Sequence, residues 1–292
     1  MRDPVIFIGM HRSGTSMLGR MLEELGVFFG ASKDINNEAL FFQELNEWLL
    51  GQCGGRWDYP TPFNQYFWRN QDVIKWTEVY LRNLLASPRA VQFLGMRRFL
   101  SGGMRSLEEP WGWKDPRSTF TLPIWLRVFP NAKVVSIQRN GVDVAQSLRA
   151  RELTYLNGAS AFYRKYRMAL FLRLRRSGFA HSPRCLSLED AFSLWEEYTA
   201  QADRMIAQVP AERVLALRYE EVLADPVKWL GETAAFCKLE VEPARIERAA
   251  RSIKADRAQA YQSDAELARF AAAHATALNA RGYATPTPGT AE

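Results

Sequence analysis

Residues Val5–Leu25, VIFIGMHRSGTSMLGRMLEEL, constrain the fold more than any other stretch. Val5, Ile6, Phe7 and Ile8 form an apolar run of strand length and β-branched character. Gly9 and Gly14 bracket a tight loop. Met17, Leu18, Met21, Leu22 and Leu25 then fall on one face of a helix, and Gly26 is placed to end it. Strand, glycine loop and helix N-terminus in succession aim backbone N–H groups, and the positive end of a helix dipole, at an anion.

The loop departs from a Walker A loop in an informative way. The Gly9–x4–Gly14 spacing fits, and Ser16 stands where the terminal Ser/Thr belongs. Thr15, however, replaces the lysine that reaches the β/γ-phosphates, and the cation comes earlier, as Arg12. Arginine displaced within the loop should grip a different phosphate group. The segment GMHRSGTS closely resembles the 5′-phosphosulfate loop of the sulfotransferase family. That family transfers SO3 from 3′-phosphoadenosine 5′-phosphosulfate (PAPS) to a hydroxyl or amine. The resemblance implies PAPS as co-substrate without a metal, and His11, Arg12, Ser13, Gly14, Thr15 and Ser16 as its loop ligands.

The sheet is legible further on. Trp111–Trp113 reads as a short strand, a helix is expected around Leu122–Phe129, and Lys133–Ile137 (KVVSI) is a buried strand by its β-branched content. Strand, helix and strand at this spacing indicate a βαβ crossover. The expected fold is a three-layer α/β/α sandwich with a central parallel sheet. Arg139 leaves the last of these strands at its C-terminal end, where ligands of open α/β sheets bind, and arginine suits bidentate phosphate binding. Arg139 with Ser147, eight residues on, resembles the family's 3′-phosphate motif. The same strand ends Gln138–Arg139, whereas a Walker B strand should end in an Asp for Mg²⁺. After a further strand at Arg213–Leu217, the segment Tyr219–Pro226 resembles the family's Y-E-D/E-L…D-P block, which makes Tyr219 the adenine-contacting position.

Trp113–Arg117, WKDPR, resembles a segment of many bacterial sulfotransferases. It aligns with a Lys-x-His segment in which Lys touches the sulfuryl group and His is the base. Lys114 is kept, but Pro116 stands in the place of the His. A base is still required, because the acceptor hydroxyl must lose a proton as it attacks sulfur. Several glycan-modifying members use a Glu followed, after two residues, by Phe-Phe, and Glu38–Phe42 has that spacing. Glu38 is therefore the expected base, with Glu44 and Asp115 as competitors. Arg12 and Lys114 are expected to neutralise charge on the transferring group. Two departures stand out. Met17 occupies a position where cytosolic members place a Trp, and the later R-K-G element for the 3′-phosphate is absent. Arg251, Lys254 and Arg257 are the possible substitutes.

The remaining expectations come from composition and patterning. The 292 residues carry a net charge of +6, which fits a polyanionic ligand without choosing one; a nucleotide is expected, and nucleic acid is not. Cys53, Cys185 and Cys237 are far apart and match no metal spacing, so reduced thiols and a cytoplasmic location are expected. No run reaches the length of a membrane span. Residues 51–66 read as loop. Asp72 is expected to cap a helix in which Val73, Trp76, Tyr80 and Leu84 share a face. Residues 1–284 read as one domain with a helical insertion at about 150–210, and 285–292 as a disordered tail. The basic aromatic segment Phe162–Phe179 has three open uses: touching an acidic glycan, lying on a membrane surface, or packing on the core. The acceptor, small molecule or glycan, and the oligomeric state are not encoded in any motif. Two other functions fit parts of the pattern: a P-loop phosphotransferase using ATP and Mg²⁺, and a catalytically inactive nucleotide- or glycan-binding protein.

Overall fold

The computed structural model describes residues 2–172, 178–253 and 259–283. In chain order its strands are β1 (Val5–Gly9), β2 (Gly112–Lys114), β3 (Lys133–Gln138) and β4 (Val214–Arg218). Its α-helices are α1 (Thr15–Leu25), α2 (Leu40–Gly51), α3 (Thr61–Tyr66), α4 (Gln71–Ala86), α5 (Val91–Leu100), α6 (Ser118–Val128), α7 (Gly141–Phe171), α8 (Leu188–Ile206), α9 (Tyr219–Ala224), α10 (Pro226–Phe236), α11 (Pro243–Ala250), α12 (Ala265–Ala273) and α13 (Ala275–Ala280). They divide into two compact units, residues 2–139 with 198–253, and residues 140–197 with 259–283.

The first unit holds the sheet. The strand order is β2-β1-β3-β4, and every pairing is parallel. The carboxyl ends of all four strands therefore share one edge. β1 is buried along its whole length, as expected of a strand covered on both faces. Side-chain alternation sorts its two faces. Val5 and Phe7, with Val135 and Ile137 of β3, join Leu18, Leu22, Leu230 and Ala249 in one apolar cluster that takes in α1, α10 and α11. On the opposite face Trp113, in register with Ile6, stacks on Phe42 of α2 at 4.0 Å and meets Trp125 of α6 edge-on. This is the expected three-layer arrangement. It also decides where Lys114 goes, because its neighbour Trp113 points to the α2/α6 side and Lys114 to the α1 side.

In the second unit α7 is capped by Asn140, whose side chain accepts from the Val142 N–H. The buried Glu152 carboxylate accepts from the N–H groups of His181 and Ser182 at 2.8 and 3.0 Å, tying the following loop to the helix. Phe192 of α8 stacks on His274 between α12 and α13.

Several boundaries differ from expectation for local reasons. Residues 61–66 are helical, not loop, because a proline in the first turn forfeits no helix hydrogen bond. The α4 cap is Asn70 rather than Asp72; its side chain accepts from the Asp72 and Val73 N–H groups. The buried face of α4 is Ile74, Thr77, Leu81 and Leu85, so the stripe containing Val73, Trp76 and Tyr80 faces outward. α6 starts earlier than expected, at Ser118, and runs through Pro123. α7 continues without a break through Gly158 to Phe171. Residues 161–169 of α7 are exposed throughout, so packing on the core fails as a use for them. The expected tail and two of the substitute cations, Lys254 and Arg257, lie outside the described residues. Among the described residues, no helix is long and apolar enough to cross a membrane.

Candidate active site

The loop between β1 and α1 is pinned at its start. The Gly9 N–H donates to Thr119 Oγ1 at 3.0 Å, and the same hydroxyl donates to the Gly9 carbonyl at 3.2 Å. Gly9 has φ +135°, and a Cβ there would lie 2.4 Å from the Ile137 carbonyl oxygen. Arg12 is exposed and takes a left-handed backbone, φ 69°. Gly14 is also left-handed, φ +92°, and a Cβ on it would come within 2.3 Å of the Tyr219 ring. Glycine is thus needed twice, once for close passage over β3 and once for close packing on Tyr219.

α1 begins immediately after Gly14, with no side-chain cap and no acidic residue in its first turn. The N–H groups of Gly14, Thr15 and Ser16 meet no acceptor among the described residues, as the first turn of a helix leaves them. Ser13 is fully buried in the same loop, and among the described residues its Oγ has no hydrogen-bond partner. These donors fit an anionic group such as a phosphate.

Tyr219 opens α9, just past β4, and is 5% exposed. The Arg139 guanidinium lies over its ring at 4.7 Å, and Arg139 Nη1 donates to the Arg12 carbonyl at 3.3 Å. The loop, Tyr219 and Arg139 therefore form one layered contact at the sheet edge. The His11 ring meets Trp57 and Tyr198 edge-on at 4.8 and 5.9 Å. Met17 packs partly buried against the apolar cluster. Ser147 belongs to the second unit, on α7, and Arg251 is exposed at the end of α11.

Beside the loop lies a buried set of charges. Lys114, 1% exposed at the end of β2, donates from Nζ to Ser16 Oγ at 3.1 Å and to Glu38 Oε1 at 2.9 Å. Glu38 Oε2 accepts from Arg117 Nη1 at 3.1 Å and from Gln43 Nε2 at 3.2 Å. Arg117 Nη1 also reaches Asp115 Oδ1 at 3.0 Å, and its Nη2 reaches Glu47 at 2.8 Å. Asn46 Nδ2 donates to Asp115 Oδ2 at 2.8 Å, while Asn46 Oδ1 accepts from Thr121 and Trp125. Two carboxylates and two cations are thus buried together, which balances their charge. Burial, and secondarily the Asp115 carboxylate, push the Glu38 carboxyl above its ordinary value; Lys114 and Arg117 pull it back only in part. The Arg117 guanidinium is held charged by Asp115 and Glu38 against the opposing effect of burial.

The three candidate carboxylates separate cleanly. Glu38 is attached to the loop through Lys114. Asp115 is 1% exposed and tied to Asn46, Arg117 Nη1 and the Arg117 N–H. Glu44 is exposed on α2 and pairs with Arg89 and Gln92. Glu38 is carried by a tight loop in which the Asp34 carboxylate accepts from the Asn36 and Glu38 N–H groups. Sequence reasoning left Arg117, Gln43 and Asn46 without a role. Two local signals pointed to Arg117, its place at the end of the WKDPR segment and its position two residues after Asp115, where an Asx turn forms. Among the described residues, no cluster of three or more His, Cys, Asp or Glu side chains is arranged to hold a metal.

No curated protein sequence matches the chain significantly. Among solved structures, the sulfotransferase domain from the curacin biosynthetic pathway is similar, with a TM-score of 0.51, 15% identity, and coverage of 98% of this chain and 99% of that one. A sulfotransferase from Alicyclobacillus acidocaldarius matches with a TM-score of 0.47 and 20% identity, over 97% of each chain. At these identities the curacin-pathway match speaks for the fold alone. The model of the sulfotransferase family matches residues 4–243, which include the loop, Glu38, the WKDPR segment, Arg139 and Tyr219. The chain belongs to the sulfotransferase family.

Proposed function

We propose that the protein transfers the sulfuryl group of PAPS to a hydroxyl acceptor, a small molecule or a glycan, by in-line displacement. The observation that carries this reading is Lys114, whose ammonium joins Ser16 of the anion loop to the buried Glu38 carboxylate. An ammonium has three hydrogens, and two are used. The third can serve the oxygen that bridges sulfur and phosphorus. Glu38 Oε2 already accepts two hydrogen bonds and Oε1 only one, so Oε1 keeps a lone pair for the acceptor's proton. As the acceptor's oxygen bonds to sulfur, its proton passes to Glu38 Oε1, and the bond from sulfur to the bridging oxygen breaks with its electron pair left on the 5′-phosphate. Arg12 and Lys114 offset the charge that develops there. Burial raises the Glu38 carboxyl above its ordinary value, the direction that makes a carboxylate a stronger base.

In this reading the amides of Gly14–Ser16, with Ser13, Thr15 and Ser16, hold the 5′-phosphate, and His11 supports the loop. Arg139 takes the 3′-phosphate, with Tyr219 beneath it. The family match runs across residues of both units, which supports treating them as one functional domain. Three free thiols suit a reducing compartment such as the cytoplasm.

The test is thermal shift with adenosine 3′,5′-bisphosphate, 5′-AMP and ATP–Mg²⁺, followed by turnover of PAPS with a panel of hydroxyl acceptors. Metal-independent stabilisation by the bisphosphate, exceeding that by 5′-AMP, supports the reading. Preferential stabilisation by ATP–Mg²⁺ makes the protein a phosphotransferase. Bisphosphate binding without turnover on any acceptor makes it a binding protein.

A further inference from the structure

We propose that Arg117 is the positioning residue of the site, holding Glu38 oriented and anionic while the charge of Lys114 is drawn toward the transferring group. The inference rests on the function proposed above and adds a residue to it.

The geometry carries the argument. Among the described residues two cations hold Glu38, and they differ in kind. Lys114 faces the anion loop as well as Glu38, so an anion arriving at Ser16 shares its charge. The charged partners of Arg117 are Glu38, Asp115 and Glu47, none of them in the loop. Its Nη1 is shared between Glu38 and Asp115, its Nη2 holds Glu47, and its own N–H is fixed by the Asp115 turn. Asp115 is anchored in turn by Asn46, which Thr121 and Trp125 of α6 lock in place. Arg117 is therefore the partner of Glu38 that substrate does not compete for. It is 6% exposed, and a planar guanidinium can serve several carboxylates in a fixed fork.

The other groups facing Glu38 do not replace it. Asp115 opposes ionisation of Glu38. Gln43 of α2 is neutral. The fully buried Tyr198 of α8 is held above its ordinary value by burial first, and then by Asp115, Asp58 and Glu38, against the pull of Arg117. Without Arg117, the burial that already raises Glu38 is opposed by Lys114 alone, and Lys114 is the cation the substrate engages.

The experiment is the pH profile of kcat/KM for wild type, Arg117→Gln and Arg117→Lys, with bisphosphate affinity measured in parallel. For Arg117→Gln, the ratio of wild-type to variant kcat/KM should be about tenfold or more on the acid limb and shrink as pH rises, because an adjacent opposite charge favours the ionised acid. Bisphosphate affinity should stay within about twofold of wild type, since Arg117 does not touch the loop. Arg117→Lys should restore the position of the limb at a lower plateau. A uniform loss at every pH with the limb in place shows a merely structural role and overturns the proposal. Unchanged profiles in both variants overturn it as well. Should Arg117→Gln fail to fold, Arg117→Met takes its place: an acid limb moved to higher pH supports the proposal, and a limb left in place overturns it. Wild-type turnover of PAPS is read first, so failure of the functional reading is seen separately. In that case the pH dependence of unfolding of Arg117→Gln, against wild type, reads the Glu38–Arg117 coupling directly, and identical dependence rejects it.

Discussion

Glu38→Gln removes a charge from the buried cluster while keeping its volume, and its effects on stability and turnover can be worked out separately. In the folded protein, burial holds the Glu38 carboxyl above its ordinary value despite Lys114 and Arg117. An acid raised in this way lends its stability fully below its unfolded value, and that contribution is lost as pH rises through the folded value. The variant has no such titration. Its stability relative to wild type should therefore climb with pH, by at most about 1.4 kcal/mol per pH unit, between the ordinary carboxyl value and the raised one. A pH-independent cost acts the other way. If the new amide oxygen stays with Lys114, its NH2 faces Arg117 Nη1 and Gln43 Nε2, both donors, and a mismatch of that kind costs about 1–3 kcal/mol. The slope with pH, rather than the offset, is thus the signature. Turnover should fall about 10²–10⁴-fold, or about 2.7–5.4 kcal/mol of barrier, with loss of the base. The assay is urea unfolding of both proteins from roughly pH 4 to pH 8, together with kcat on a hydroxyl acceptor. A stability difference that is flat or falls with pH refutes the electrostatic argument. Near wild-type turnover refutes the assignment of the base, and if Asp115→Asn then loses activity, the base belongs to the Lys114–Asp115 loop.

Arg139→Ala should weaken bisphosphate binding by about 2–4 kcal/mol and leave 5′-AMP binding nearly unchanged; calorimetric titration of both ligands checks it. Gly14→Ala places a Cβ against the Tyr219 ring at a left-handed backbone position. It should cost about 1–3 kcal/mol of stability and weaken the bisphosphate, read by unfolding and titration. Glu44→Gln touches exposed contacts with Arg89 and Gln92 and should change stability by no more than about 0.5 kcal/mol, with turnover unaffected. A large loss of turnover there would reopen the choice of base.

The sheet and loop were legible because their signals are local. Strand length, β-branching, Gly9, Gly14 and the stripe from Met17 to Leu25 all lie within one short stretch, and each constrains its own backbone. The Glu38 and Lys114 assignments came from short motifs, and their contact required β1 and β2 to pair in parallel across more than a hundred residues. In α4 the stripe with Val73, Trp76 and Tyr80 shares a face as the periodicity indicates, yet Ile74, Thr77, Leu81 and Leu85 are the residues that are buried. Periodicity fixes which residues share a face and is silent on which face is covered.

The strand, the glycine loop and the helix after it were thus legible in the sequence alone, since backbone geometry and helix ends need no distant partner, while the candidate phosphate ligands came from the family resemblance. The choice among Glu38, Glu44 and Asp115 was not legible there. All three are carboxylates in plausible segments, and only tertiary packing made one paired to the loop lysine, one exposed and one locked by Asn46. Arg117 was hidden for the same reason. A guanidinium acquires a function from the charges around it, and those charges come from α2, the Glu38 loop and the end of β2, which meet only when the sheet and its helical layer close on one another.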